Sequence, residues 1–301
     1  MIYDCAIIGG GPAGLNAALV LGRARRTVAL CDNNRPRNRV THASHGFITQ
    51  DGVTPSEFRR KAYADVLKYP SVQHYAVPVT EIIKEQGTFT VVVEGSEPIR
   101  ARKVLLAVGL DETLPDLPGV GDVYGTSVFH CPYCDGWELR DQALIAIGDH
   151  PRIFHIAKLL FGWSRDVVIC TNGTQVLDDE QKRQLSAKGI RVTEQRVAAL
   201  HSEQGKLTEV EWTDGTRLAR SGGFVMPQWT PHTVRFASLG FDTNEWGGIK
   251  TNELGESSVP GLFAAGEAAT GMGAQLITAA ASGSMAAMGV NTALMEEAFQ
   301  E

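Results

Sequence analysis

The chain has 301 residues, 43% of them hydrophobic, enough for one large or two ordinary domains with substantial cores. A formal net charge of −6 and a pI near 5.8 leave no basic footprint for nucleic acid or an anionic membrane. Five cysteines, Cys5, Cys31, Cys131, Cys134 and Cys170, are too few and too odd for a secreted disulfide framework, and Met1 leads straight into an apolar run without a basic leader, so a soluble cytoplasmic protein is expected.

Ile2 to Ile8 reads as a strand, followed by Gly9-Gly10-Gly11-Pro12-Ala13-Gly14, a helix through Leu21, and a second strand from Thr27 to Cys31 that ends at Asp32. This is G-x-G-x-x-G in its strand–turn–helix context. Gly9 permits the tight turn, Gly11 lets backbone approach a pyrophosphate, and Gly14 lets helix and strand pack closely. The helix N-terminus meets the phosphate charge, and Asp32 is positioned to accept a ribose hydroxyl. The fingerprint by itself fits FAD and NAD equally, because both carry an adenosine diphosphate half.

Thr41 to Phe47 is a polar loop whose His42 and His45 could line a flavin or substrate face. Thr54-Pro55-Ser56-Glu57 reads as a capped helix start. Strands near Phe89–Val93 and Lys103–Val108 follow, the second ending at Gly109, a further close approach of backbone at a strand end. Pro115 to Val120 reads as a crossover between domains.

Cys131 and Cys134 then stand two residues apart in His130-Cys131-Pro132-Tyr133-Cys134-Asp135-Gly136. The spacing suits a disulfide that closes and reopens, half of a zinc site, or packed thiols. No second cysteine pair exists to complete four zinc ligands, so no metal is expected. A second strand–helix–strand unit follows at Ala143–Ile147, Phe154–Phe161 and Val167–Cys170. Its turn is Gly148-Asp149-His150-Pro151-Arg152-Ile153, with His150 at the middle glycine position, and Thr171-Asn172-Gly173-Thr174 offers no cation for a 2′-phosphate. A helix over Glu180–Leu185, strands near Arg191–Arg196 and Leu207–Trp212, and an Asp214-Gly215 hairpin turn complete this part. Finally, Val259 to Glu267 is an apolar strand ending at Gly266 and Glu267, before a small-residue helix from Gln275 to Met288.

Across nearly its whole length this pattern resembles the low-molecular-weight thioredoxin reductase family of two-domain flavoproteins. The resemblance implies an α/β fold of two Rossmann-like, three-layer ββα nucleotide-binding domains, the second inserted in the first. It puts an FAD domain at residues 1–114 and 240–301 and an NADPH-type domain carrying the Cys-x-x-Cys at 115–239. Gly9, Gly11, Pro12, Ala13, Gly14, Asp32, Gly109, Gly266, Glu267, Gln275 and Leu276 match its FAD elements, with Glu267 replacing the usual aspartate near the flavin ribityl or phosphate region. The resemblance also implies a homodimer. Cys131 would be the attacking thiol and Cys134 the flavin-proximal one, with Asp135 relaying a proton and His130 favouring a thiolate.

The chain departs from the family at His150 and at the uncharged Thr171 segment. These departures liken it to a divergent branch with degenerate NADPH motifs. The expected function is therefore an FAD-dependent thiol–disulfide oxidoreductase with another donor, for example ferredoxin, acting on a thioredoxin-like protein or a small-molecule dithiol or disulfide. The alternatives are a dithiol oxidase using oxygen, a conventional NADPH-dependent thioredoxin reductase, and a non-catalytic flavin-binding protein. Dithiol oxidases often carry histidine where this chain has Asp135. Divergent members can also cover a neighbouring subunit's flavin with an aromatic tail, for which Phe299 is available.

Overall fold

A computed structural model describes residues 1–300. In chain order the strands and helices of its first part are β1 (Ile2–Ile8), α1 (Pro12–Arg23), β2 (Val28–Cys31), α2 (Pro55–Val66), β3 (Val72–Tyr75), β4 (Val79–Glu85), β5 (Thr88–Val93), β6 (Ile99–Leu106) and β7 (Leu110–Thr113). Then come α3 (Val120–Val123), β8 (Val128–Phe129), α4 (Pro132–Asp135), β9 (Leu144–Ile147), α5 (Ile153–Leu160), β10 (Val167–Cys170), α6 (Asp179–Ala187) and β11 (Arg191–Thr193). The rest are β12 (Val197–Glu203), β13 (Lys206–Trp212), β14 (Arg217–Ala219), β15 (Gly222–Val225), β16 (Gln228–Pro231), β17 (Leu262–Ala264), α7 (Glu267–Thr270) and α8 (Leu276–Gln300). By contacts the chain divides into two compact units: Met1–Arg39, Gly46–Glu112 and Trp229–Glu301 form one, Val40–His45 and Thr113–Gln228 the other.

The first unit is built on a sheet of order β3-β2-β1-β6-β5-β4, with β17 on β6. β3, β2, β1, β6 and β17 run parallel, while β4 and β5 are antiparallel. Strand alternation divides the core. Cys5 and Ile7 of β1 face Leu15, Ala18 and Leu21 of α1 and Ala286, Val290 and Leu294 of α8. Ala6 and Ile8 face the opposite cluster with Ile82, Phe89 and Val91. α8 crosses α1 closely because Gly283 lacks a Cβ; one there would land on the Ala13 backbone.

Residues 229–239 pack in this unit: Phe236 is buried with Ile82, Ile249 and Val104, upstream of the expected re-entry at residue 240. The last helix also runs on past Met288 to Gln300, because Val290 and Leu294 continue its buried face. Two further strands, β3 and β4, were not expected from the sequence; their alternation is diluted by exposed polar residues.

The second unit has a five-stranded parallel sheet, β11-β10-β9-β15-β8, and a separate antiparallel sheet, β12-β13-β14. Ile145, Ile147, Val168 and Cys170 face Leu200, Val210 and Trp212 of the antiparallel sheet. Leu144, Ala146, Val167 and Ile169 face Ile153, Ala157 and Leu160 of α5 and Leu185 of α6. Each unit is thus an α/β Rossmann-like body. Among the described residues no helix is long and apolar enough to cross a membrane.

Candidate active site

In the first unit the glycine turn has the shape its residues demand. Gly9 has φ 109°, and a Cβ on it would strike the Ala107 carbonyl. A Cβ on Gly14 would strike the Gly9 carbonyl oxygen, whereas one on Gly11 would meet nothing within 4 Å. Gly11 is also the N-cap of α1, with Pro12 at the first position, no side-chain cap and no acid in the first turn. The backbone is therefore open and its first amides unclaimed by side chains, which fits a pyrophosphate. Asp32, 8% exposed, receives the Gly10 amide at 3.0 Å. Burial opposes its charge, but Arg59, Tyr63 and the Gly10 amide outweigh burial and hold its carboxyl below the ordinary value.

Gly109 and Gly266, both at positive φ, come together at Glu267: a Cβ on Gly109 would sit 3.4 Å from Glu267 Oε2. Glu267 accepts from the Ala274 amide at 3.0 Å and pairs with Arg37 at 2.5 Å, and Arg37 lies 5.0 Å over Trp229. Arg37 was missed in the sequence; its only signal was the basic run Arg35-Pro36-Arg37-Asn38-Arg39. Gln275 precedes α8, its carbonyl accepting the Ala279 amide, and Leu276 is the first helical residue. The Gln275 side chain reaches toward Gly46. Phe299 is 92% exposed on the last turn of α8 and joins none of these groups. Glu297 beside it is tied back to Arg102 and Lys103 of β6. Glu301, the end of the proposed tail, lies outside the described residues.

In the second unit Cys131 and Cys134 form a disulfide with Cα atoms 5.3 Å apart. The pairing follows from local structure. Cys131 is extended and caps α4, Pro132 starts the turn, and the Cys134 and Asp135 amides both donate to the Cys131 carbonyl. One helical turn thereby brings both sulfurs to one side. Gly136 ends it under Trp163, whose ring leaves no room for a Cβ, and Trp163 also meets Tyr133 edge-on at 5.6 Å. His130 Nδ1 is 3.0 Å from the Tyr124 hydroxyl. Cys5, Cys31 and Cys170 are buried and free; burial pushes Cys31 up to about 12 and Cys170 up to about 11, so they stay thiols.

Asp135 is 8% exposed. Burial, then the nearby Glu138 carboxylate, pushes its carboxyl up to about 7, with His45 pulling the other way. Asp135 lines a pocket of about 470 Å³ with His42, His45, Thr126, Glu138 and Lys206. His45 Nε2 lies 3.6 Å from Glu138, and His42 Nε2 lies 3.3 Å from Thr126. The His42 and His45 loop thus belongs with the disulfide-bearing unit.

The turn between β9 and α5 carries His150 at the middle glycine position and Ile153 at the third. His150 Nδ1 accepts the Arg152 amide at 3.2 Å, and Ile153, fully buried, fills the third-glycine position. The expected absence of a cation at the end of β10 needs correcting. Arg196, arriving from the segment before β12, lies against Gly173, its Nε 2.7 Å from where a Cβ would be. Sequence distance hid it.

The comparisons agree with this arrangement. The family model for pyridine nucleotide-disulphide oxidoreductases matches residues 3–283. The chain is 31% identical to thioredoxin reductase aclD of Aspergillus oryzae, over 100% of this chain and 98% of that protein. It is 30% identical to thioredoxin reductase sirT of Leptosphaeria maculans, over 96% and 94%. It superimposes on the solved structure of TrxB from Bacillus anthracis with a TM-score of 0.93 and 44% identity, covering 98% of this chain and 99% of that one. With an open glycine turn in one unit and a cysteine disulfide on a helical turn in the other, the chain belongs to the pyridine nucleotide-disulphide oxidoreductase family, as an FAD-binding, thioredoxin-reductase-like oxidoreductase with a redox-active cysteine pair.

Proposed function

We propose that the chain is a conventional thioredoxin reductase, a homodimer that takes electrons from NADPH and delivers them through Cys131 and Cys134 to a disulfide on a thioredoxin-like protein or small molecule. The observation that carries this reading is the disulfide seated on one helical turn with Asp135, its carboxyl pushed up to about 7 by burial, directly after it. Gly9, Gly11 and Gly14 would hold the pyrophosphate of FAD, Asp32 its adenosine ribose, and Glu267 and Gly109 its ribityl side; when bound, FAD would supply the electron pair that reduces the cysteines. Cys131 thiolate attacks the substrate disulfide, forming a mixed disulfide and expelling one substrate thiolate, which takes a proton from Asp135. Cys134 then attacks Cys131 Sγ, releasing the second substrate thiol and closing the Cys131–Cys134 disulfide. Two electrons leave the pair as the substrate gains them.

The sequence argued for a donor other than NADPH. The family's pyridine-nucleotide description and Arg196 against Gly173, just past β10, support the nicotinamide donor better. His150 favours a second reading, in which ferredoxin is the donor or the flow reverses, a dithiol being oxidised at the expense of oxygen. Anaerobic mixing with NADPH, NADH, reduced ferredoxin and a dithiol in turn decides between them. Rapid flavin bleaching by NADPH with turnover of a thioredoxin disulfide is expected. Bleaching by ferredoxin alone, or catalytic peroxide formation from a dithiol in air, would transfer the assignment to the second reading. A Cys134→Ser variant turning over disulfide at the wild-type rate would remove both.

A further inference from the structure

The glycine fingerprint contains one glycine that the dinucleotide motif does not ask for, and the reason lies in α2. A Cβ on Gly10 would sit 2.6 Å from Asp32 Cγ and closer still to the Tyr63 hydroxyl. Tyr63 and Arg59 lie one helical turn apart on α2, so both reach the same place. Arg59, 8% exposed, donates from Nη1 to the Gly10 carbonyl and from Nη2 to Asp32 Oδ2 at 2.7 Å and to Asn34 Oδ1 at 3.0 Å. Tyr63 donates to the same Asp32 Oδ2 at 2.8 Å and carries the Arg59 guanidinium 5.3 Å over its ring. Its ring also meets His74, ring centres 4.7 Å apart.

The two oxygens of Asp32 are consequently unequal. Oδ2 receives Arg59, Tyr63 and, at 3.2 Å, the Asn34 amide. Oδ1 receives the Gly10 amide and retains a lone pair for another donor. A buried ion pair is poor value as a stability device, since apolar residues of similar volume often serve as well. Fixing which carboxylate oxygen faces the cofactor is a use that apolar residues cannot fill.

We propose that Arg59, supported by Tyr63, is a positioning residue for the adenosine ribose of FAD. Arg59 ties the Gly10 carbonyl to Asp32, saturates Oδ2, and leaves Oδ1 oriented to accept a ribose hydroxyl. The ligand chemistry is a vicinal diol on the adenosine half, and Arg59 acts on it through Asp32.

The test pairs a change in the protein with a change in the ligand. Full-length chain stripped of flavin is titrated with FAD and with FAD whose adenosine ribose lacks both hydroxyls, followed by quenching of flavin fluorescence, which requires no turnover. Wild type should prefer intact FAD by about tenfold or more, the size of a buried hydrogen bond to a charged acceptor. Arg59→Met should lose most of that preference and Tyr63→Phe part of it, while Arg59→Lys, which keeps the charge beside Asp32, should restore some. Thermal unfolding of each stripped protein separates folding from recognition. Should Arg59→Met fail to fold, Tyr63→Phe and Arg59→Lys decide. Any folded variant among Arg59→Met and Tyr63→Phe that is merely less stable, with an undiminished preference for the diol, overturns the proposal.

Discussion

The turn from β1 into α1 and the turn from β9 into α5 are the same device with opposite chemistry at the end of the neighbouring strand. In the first, three glycines keep the backbone bare, α1 starts at Pro12, and β2 leads to an ionised Asp32. In the second, His150 and Ile153 replace two of the glycines, α5 starts only at Ile153, and β10 leads to the neutral Thr171 with Arg196 alongside. Ile153 is part of the core, so its side chain gives to packing what Gly14 gives to close approach. An acidic strand end reads a diol and repels a phosphate; a neutral one flanked by a cation accepts a phosphate. On the proposed reading one scaffold serves two different nucleotide recognitions, and the second depends on a residue that is not near it in the chain.

The two buried acids differ in the same way. Asp32 and Asp135 are each 8% exposed, yet Asp32 is held below its ordinary value and Asp135 is pushed up to about 7. Burial acts on both. Asp32 has a guanidinium, a phenol and an amide to offset it, whereas Asp135 has a neighbouring carboxylate. The lesson is that burial alone does not set the charge; the donors supplied by packing do.

The largest effect should come from Gly14→Ala. Its new Cβ would strike the Gly9 carbonyl, which is backbone and cannot swing aside, so FAD affinity should fall by about a hundredfold, equivalent to roughly 3 kcal/mol, read as flavin lost on gel filtration. The matching change in the other turn, Ile153→Ala, should leave FAD content intact and cost stability of about 2–4 kcal/mol as a core cavity. Equal effects on flavin would break the contrast.

Next is pH. Asp135 has a raised carboxyl in the folded state, so folding takes up a proton there. Its contribution to stability is present near pH 4 and is lost as pH rises through about 7. Asp135→Asn should therefore match wild type in unfolding free energy near pH 4 and exceed it at pH 8, by on the order of a few kcal/mol, measured by denaturant unfolding at each pH. Asp32 behaves oppositely: its lowered carboxyl stabilises above its ordinary value of 3.8 and is lost as pH falls. Asp32→Asn should accordingly cost stability at pH 7 and progressively less in acid. The same slope for both variants would refute the contrast between the acids.

Smaller effects are expected at the second turn. Arg196→Met should weaken NADPH by about tenfold, one charge-assisted contact, and leave NADH unchanged, as measured by stopped-flow bleaching. His150→Gly should improve NADPH binding by a few-fold at most if the turn is already competent, and by more than about tenfold if His150 is the barrier. That ratio sharpens the choice of donor.

The contiguous features were legible in the residues. The glycine turn, Asp32 at the strand end and the two-residue spacing of the cysteines depend on backbone geometry within a few residues, and the residues report that directly, whereas the helical turn under the cysteines came from the structure. The strand–turn–helix order repeats along the chain, and the family resemblance implied two Rossmann-like bodies from it. The partners were not legible. Arg59 and Tyr63 on Asp32, Arg37 on Glu267, Arg196 on Gly173 and His45 near Asp135 come from separate elements, joined only when helices and strands bury their apolar faces. The sequence by itself therefore determined a dinucleotide-binding turn and a Cys-x-x-Cys, because each is written in residues a few positions apart, while FAD and the redox role of the pair came with the family resemblance. Tertiary structure decided which acid is ionised and where the cations stand, because electrostatics depends on distances that chain order does not contain.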